Sequence, residues 1–187
     1  MYAGDTSPPV PARIHRYGSR EVVVDPFLIF NIQVTLAIVV VALATRWFVL
    51  PKLRTWDHAD ALTVPLLFSS LRFMGLSFLV PNLAVDLPAA FSGPAAYGDF
   101  AVSLLALAAA VANQARSPLG KPLAWAYVAI GGADLAYGFF LGFLHGMWFH
   151  LAGGWAIVMF VAPLVIVSLG TLVLLLARPH AVTTTGG

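Results

Sequence analysis

The stretch FLIFNIQVTLAIVVVALATRWFVL, Phe27–Leu50, carries one formal charge, Arg46, and that sits near its end. A run of about 20 apolar residues is what a helix needs to cross a bilayer core. Four more runs of this kind follow: Ala61–Pro81, Tyr97–Ala115, Leu123–Leu144 and Ala152–Ala177. In lipid each backbone polar group needs an internal partner, and no alternating barrel pattern is present, so these runs are read as helices. β-Branched residues such as Ile38–Val41 do not change this, because closing the backbone hydrogen bonds outweighs a propensity of a few tenths of a kcal/mol per residue. The expected fold is all-α, a single bundle of five transmembrane helices.

Composition agrees. Of 187 residues, 60% are hydrophobic and 10% charged, and the mean hydropathy is +0.88. A soluble domain carries about 25% charged residues. A net charge of +2 is too small for a nucleic-acid surface. The absence of cysteine excludes disulfides, thiolate metal sites and cysteine nucleophiles.

Residues 1–25 read as an extramembrane tail, with Ser7–Pro11 as extended polyproline, and residues 179–187 as a short polar tail. The first apolar run is too long for a signal-peptide core and is read as a retained anchor. Pro51 and Pro65 bracket the first connection, Pro88, Gly93 and Pro94 mark the second, and Ser117, Pro118 and Gly120 mark the third. Basic residues orient the bundle. Arg46, Lys52, Arg54, Arg116, Lys121 and Arg178 fall on one side, against Arg13, Arg16 and Arg20 on the other. This places the N-terminus outside and the C-terminus in the cytoplasm of a bacterial inner membrane. Trp47, Trp125, Trp148 and Trp155 lie near span ends, as an interfacial aromatic belt requires.

Two charges fall deep inside spans. Arg72 lies 11 residues after Ala61, and Asp134 lies 11 residues after Leu123. At 1.5 Å per residue both are about 16 Å from the same boundary. A charge at mid-helix costs roughly 2.5–3.5 kcal/mol on insertion scales. Opposite charges at one depth are therefore expected to pair, the guanidinium fork matching a carboxylate. The pair reads either as a structural ion pair or as a substrate, proton or ion site. Arg72 pairing with Asp99 or Asp86 is the competing arrangement.

On α-helical geometry, Ser69, Gly75, Asn82 and Asp86 share the Arg72 face. Tyr127, Gly131, Tyr137, Gly138, Gly142 and His145 share the Asp134 face. Asp99 heads a stripe with Ser103, Ala106, Ala110 and Asn113 on the third span. Secondary polar candidates are Asp99, Asp86, Asn82, Ser69 and Tyr137. Gly131, Gly138, Gly142 and Gly146 read as small residues that let helices approach closely, within the chain or against another chain or a second copy. His145 and His150 are candidate metal or haem ligands, although their i, i+5 spacing does not suit chelation on one helix. The sequence requires no cofactor. No nucleotide, hydrolase or metalloprotease motif occurs, and no span carries a lysine.

The segments Arg72-x-x-Gly75, Leu87-Pro88-x-x-Phe91, Gly98-Asp99 and Gly131-x-x-Asp134-Leu135 resemble those of a set of small bacterial membrane proteins of unassigned function. The resemblance covers roughly residues 71–176 and implies a helical bundle in the plasma membrane. Arg72-x-x-Gly75 is also similar to the opening of DoxX-like proteins, whose later pattern is missing. Without a catalytic motif, the first reading is a non-catalytic subunit or assembly factor of a larger membrane complex, for instance an energy-transducing one. The other is a small transporter, channel or sensor with a polar interior centred on Arg72 and Asp134.

Overall fold

The computed structural model describes residues 25–81, 83 and 86–177. The expectations for both tails, their arginines and Asn82 fall outside the described residues. Within them the chain is helical, without strands. The elements are α1 (Pro26–Ala44), α2 (Leu50–Leu53), α3 (His58–Ser70), α4 (Ala89–Gln114), α5 (Gly120–Leu144) and α6 (Gly154–Leu176). A π-helical turn, Thr45–Val49, joins α1 to α2. Two 3-10 segments, Leu71–Leu79 and Met147–Phe149, follow α3 and α5. Five helical stretches of the described residues are long and apolar enough to cross a membrane: Pro26–Leu53, His58–Leu79, Ala89–Gln114, Gly120–Leu144 and Gly154–Leu176. That is the architecture of a multi-pass membrane protein.

Local chemistry sets the element ends. Asp25 caps α1, its carboxylate accepting the Phe27 N–H, with Pro26 at the first helical position. Asp57 caps α3 by accepting from Ala59. Pro51 does not end the first span. It has no N–H to give the preceding turn, and the chain widens there to the π register and continues to Leu53. Pro94 likewise lies inside α4, which starts at Ala89 rather than near Tyr97. Gly146, at φ 60, turns the chain after α5, so it stands beyond the helix and not on its glycine face.

The helices α3, α4, α5 and α6 form the bundle, with α4 between α3 and α5, while α1 packs mainly against α6. Two apolar cores divide its length. One gathers Leu62, Leu66, Ala106, Ala110, Tyr127 and Leu172 toward the end that holds the 54–57 and 115–119 connections. The other gathers Phe30, Phe91, Leu141, Met147, Leu151 and Val158 toward the opposite end. Arg46, Lys52, Arg54, Arg116 and Lys121 all belong to the first, or basic, end, and no Lys or Arg among the described residues lies in the 80–88 or 145–153 connections.

At the basic end Arg116 pairs with Asp57 and with Asp60, the latter at 3.0 Å, tying two connections together. The backbone N–H of Ala59, and then Arg116, hold the Asp57 carboxyl below its ordinary range. A depressed carboxyl contributes stability above its unfolded value and loses it as pH falls through the folded one. The basic-end tie is therefore weakened by acid and unaffected by mild alkali.

The attachment of α1 is aromatic, with one polar bond. Phe30 packs edge-on to Trp155 at 5.4 Å, and Phe27 lies 4.7 Å from Trp148. The Trp155 indole N–H donates to Gln33 Oε1 at 2.7 Å. Interhelical hydrogen bonds in membranes contribute about 0.6–2 kcal/mol. Gln33→Leu should lower thermal stability in detergent by an amount in that range, and Trp155→Phe should cost less in the Gln33→Leu background than in the parent, because only its ring packing is then left to lose. Differential scanning fluorimetry of the two single variants and the double variant measures both.

Candidate functional site

Arg72 lies in the first turn of Leu71–Leu79, where the backbone has tightened from α to 3-10. With three residues per turn, positions i and i+3 eclipse. Arg72, Gly75 and Phe78 consequently form one row, and all three border the same small cavity. The α-helical stripe expected from Ser69 to Asp86 stops at this change of pitch. Asp86 lies beyond the 3-10 segment, exposed and at φ 51.

The Arg72 side chain reaches two carboxylates and a carbonyl. Its Nε donates to Asp99 Oδ1 at 2.6 Å, and Nη2 lies at the same distance from that oxygen. Nη2 donates to Asp134 Oδ2 at 2.5 Å, and Nη1 donates to the Gly131 carbonyl at 2.8 Å. The guanidinium thus links the 3-10 segment to α4 and α5. Both arrangements that the sequence offered for Asp134 and Asp99 are present at once. Asp99 belongs to mid-helix because α4 begins at Ala89, well before the boundary expected from Gly93 and Pro94.

Glycines make this approach possible. A Cβ on Gly75 would stand 2.8 Å from Asp99 Cβ, and one on Gly98 would stand 3.2 Å from Asp134 Cγ and closer still to its Oδ1. A Cβ on Gly131 would meet Tyr127 and Val102 at 2.9 Å. Gly142 sits against Met147 in the same way. Gly138 meets nothing within 4 Å and borders open space instead of another helix.

Burial is unequal across the cluster. The Arg72 side chain is 3% exposed, whereas those of Asp99 and Asp134 are 24% and 22% exposed. The carboxylates face a cavity of about 80 Å³ bordered by Phe78, Phe91, Leu135, Gly138, Met147 and Val158. Tyr137, 53% exposed, and Pro94, also exposed, stand at its rim between α4 and α5. A second cavity of similar volume touches Arg72, Gly75 and Asp99 from the α6 side. Toward the basic end the cluster meets Tyr127 and Ser69, both fully buried. The Tyr127 hydroxyl adjoins both Arg72 and the Ser69 hydroxyl, and neither hydroxyl closes a hydrogen bond of good geometry. Beyond them lies the basic-end core, and a separate groove of about 290 Å³ borders it between α1, α3 and α6 without reaching the cluster. The cluster therefore borders cavities on its α4–α5 and α6 sides, and Tyr127 and Ser69 close it toward the basic end.

With all three groups ionised the cluster carries one positive and two negative charges, a sum of −1. The guanidinium N–H groups that face the carboxylates are used, and Asp99 Oδ2 and Asp134 Oδ1 accept no hydrogen bond among the described residues. A further positive charge would neutralise the cluster.

Of the remaining candidates, His145 caps the end of α5 and His150 ends the Met147–Phe149 turn. Among the described residues no group of three or more His, Cys, Asp or Glu is placed to hold a metal ion. Sequence reasoning did not single out Gly75 and Gly98 as seats for carboxylates, nor Tyr127 as a neighbour of Arg72. The available signal was the spacing Arg72-x-x-Gly75 and the Gly98-Asp99 dipeptide, which put a glycine beside each acid.

These features define a helical multi-pass membrane protein with an ion cluster at the heart of its bundle. Residues 29–177 match the model of a family described as a domain of unknown function, DUF8737, and the chain belongs to that family. No curated protein and no solved structure matches it.

Removing one partner of a buried ion pair costs about 3–5 kcal/mol, because the other charge is left uncompensated. Arg72→Gln should fall in that range, and it should be the most damaging of the three single neutralisations because two carboxylates then face each other. Adding Asp99→Asn and Asp134→Asn to it should recover much of the loss. Double-mutant cycles on melting in detergent should give coupling of Arg72 with each acid. Gly98→Ala should destabilise by about 1–3 kcal/mol through overpacking, and Gly138→Ala should not.

Proposed function

We propose that this protein is a small transporter or sensor of the cytoplasmic membrane that binds a small solute or a proton at Arg72, Asp99 and Asp134. The observation that carries this reading is the combination of charge imbalance and cavities that border the cluster away from Tyr127 and Ser69. A cluster built only to fix helix register needs one acid for one base. Here a second acid leaves the sum at −1, and all three groups line a cavity, the acids about a quarter exposed and the base 3% exposed. Intramembrane ionisable groups mark pathways and binding sites by default, and small cavities with a few converging polar groups are where ligands sit. The reading is non-enzymatic, resting on binding and exchange at the cluster.

Orientation follows from charge. The basic end belongs in the cytoplasm by the positive-inside rule, so the cavity faces the outer half of the bilayer. Cysteine scanning in this cysteine-free chain tests the arrangement. Thr55→Cys should be protected from an impermeant maleimide in intact cells, and Ala152→Cys should react. The reverse pattern would place the cavity on the cytoplasmic side.

A second reading, as a subunit of a larger membrane complex, is favoured by α1. The most apolar window of the Pro26–Leu53 stretch is 6% buried, against 22–39% in the other four. Purification from native membranes in mild detergent separates the two. The transporter or sensor reading expects this chain alone or with copies of itself, and stoichiometric foreign chains would favour the subunit reading.

A further inference from the structure

The charge that would neutralise the cluster can be a proton, a metal ion or an organic cation, and the cavity discriminates among them. A metal cation such as K⁺ replaces its water shell with several oxygens. The oxygens available here are those of two carboxylates and of Tyr137 at the rim; Arg72 offers only donors, and Phe78, Phe91, Met147 and Val158 are apolar. A proton needs no cavity. The space is about 80 Å³, room for on the order of five heavy atoms when one water occupies about 10–15 Å³ on this measure. Phe78 and Phe91 stand 5.5 Å apart at a tilt of 58° and both face the cavity. Aromatic rings and a thioether beside a carboxylate suit a cation with an apolar body. The rim lies at Pro94 and Tyr137, between α4 and α5.

A second observation concerns Arg72. The guanidinium occupies the inner side of both carboxylates and competes with any incoming cation. On its other side are the hydroxyls of Ser69 and Tyr127, each with no exposure and no hydrogen-bond partner. Buried polar groups without partners are rare and costly. Here they supply substitute acceptors for guanidinium N–H groups that leave a carboxylate.

We infer that the cavity binds a small primary alkylammonium ion, about the size of propylammonium, and that Arg72 is an internal cation which the ligand displaces from Asp134 toward Ser69 and Tyr127. The inference rests on the proposed binding role of the cluster and names its ligand class. The ammonium head lies between Asp99 and Asp134, and the alkyl chain lies against Phe78 and Phe91. Arg72 keeps Asp99 while Tyr127 accepts the N–H released from Asp134.

The test uses the full chain purified in detergent, with thermal melting recorded against increasing propylammonium chloride and, in parallel, potassium chloride at equal concentrations near neutral pH. Propylammonium should raise the melting temperature saturably and potassium should not. Gly138→Val places a side chain in the open space of the cavity, so it should melt like the parent and lose the response. Asp134→Asn should also lose it. Tyr127→Phe should weaken apparent affinity about 3- to 10-fold, the worth of one hydrogen bond. A propylammonium response no greater than that of potassium would overturn the inference, as would a response that survives in Gly138→Val. In the event of such a failure, a pH-dependent melt abolished by Asp99→Asn or Asp134→Asn would keep the binding role with a proton as ligand. A melt insensitive to pH as well would remove both.

Discussion

The Arg72 guanidinium holds three segments of the chain at one point in the middle of the bilayer. It donates to a carboxylate of α4, a carboxylate of α5 and a backbone carbonyl of α5. Nothing apolar in the bundle has comparable directional force, because lipid tails solvate leucine as well as another helix does. The constraint propagates outward. Gly75, Gly98 and Gly131 are required where a side chain would push the backbones apart. The 3-10 pitch of Leu71–Leu79 aligns Arg72, Gly75 and Phe78 in one row. The apolar cores above and below then close around a cluster whose geometry is already fixed.

This arrangement also separates the two halves of the protein chemically. On the basic side, Tyr127 and Ser69 lead into a packed apolar core. On the other, the carboxylates meet a cavity with aromatic walls. Closure toward the basic side, where Tyr127 and Ser69 are fully buried, is what an exchange site needs in any one conformation. A sensor would read occupancy through the shared arginine, since a change at Asp134 is felt at Asp99 through the same guanidinium. A transporter would use the same link to loosen α4 from α5.

The five helices are legible in the sequence because hydrophobic length is a strong and local signal. Their ends are less so. Pro51 and Pro94 read as breakers, yet a membrane helix tolerates proline when the local register adjusts, and the first span continues to Leu53 while α4 begins at Ala89. That shift of α4 is the reason Asp99 was placed near a boundary and given a secondary role. Arg72 and Asp134 stood out because a charge in an apolar run is conspicuous. Asp86 and Gly146 were put on helical faces by extrapolating 100° per residue past the points where the helices change pitch or end. Tyr127 was visible only as one polar residue on a face, and its place beside Arg72 depends on packing between elements far apart in the chain.

The most direct measurement of the central claim is the distance from the Arg72 guanidinium to each carboxylate in the membrane. Solid-state NMR on the full chain in lipid, with ¹⁵N-arginine and ¹³Cγ-aspartate, reads it through nitrogen–carbon dipolar couplings, and Arg72→Lys identifies the signal. Two aspartate carbons within hydrogen-bonding range of the Arg72 nitrogens, one lost in Asp99→Asn and the other in Asp134→Asn, is the result this account requires. Coupling to a single aspartate, or to none, would contradict it.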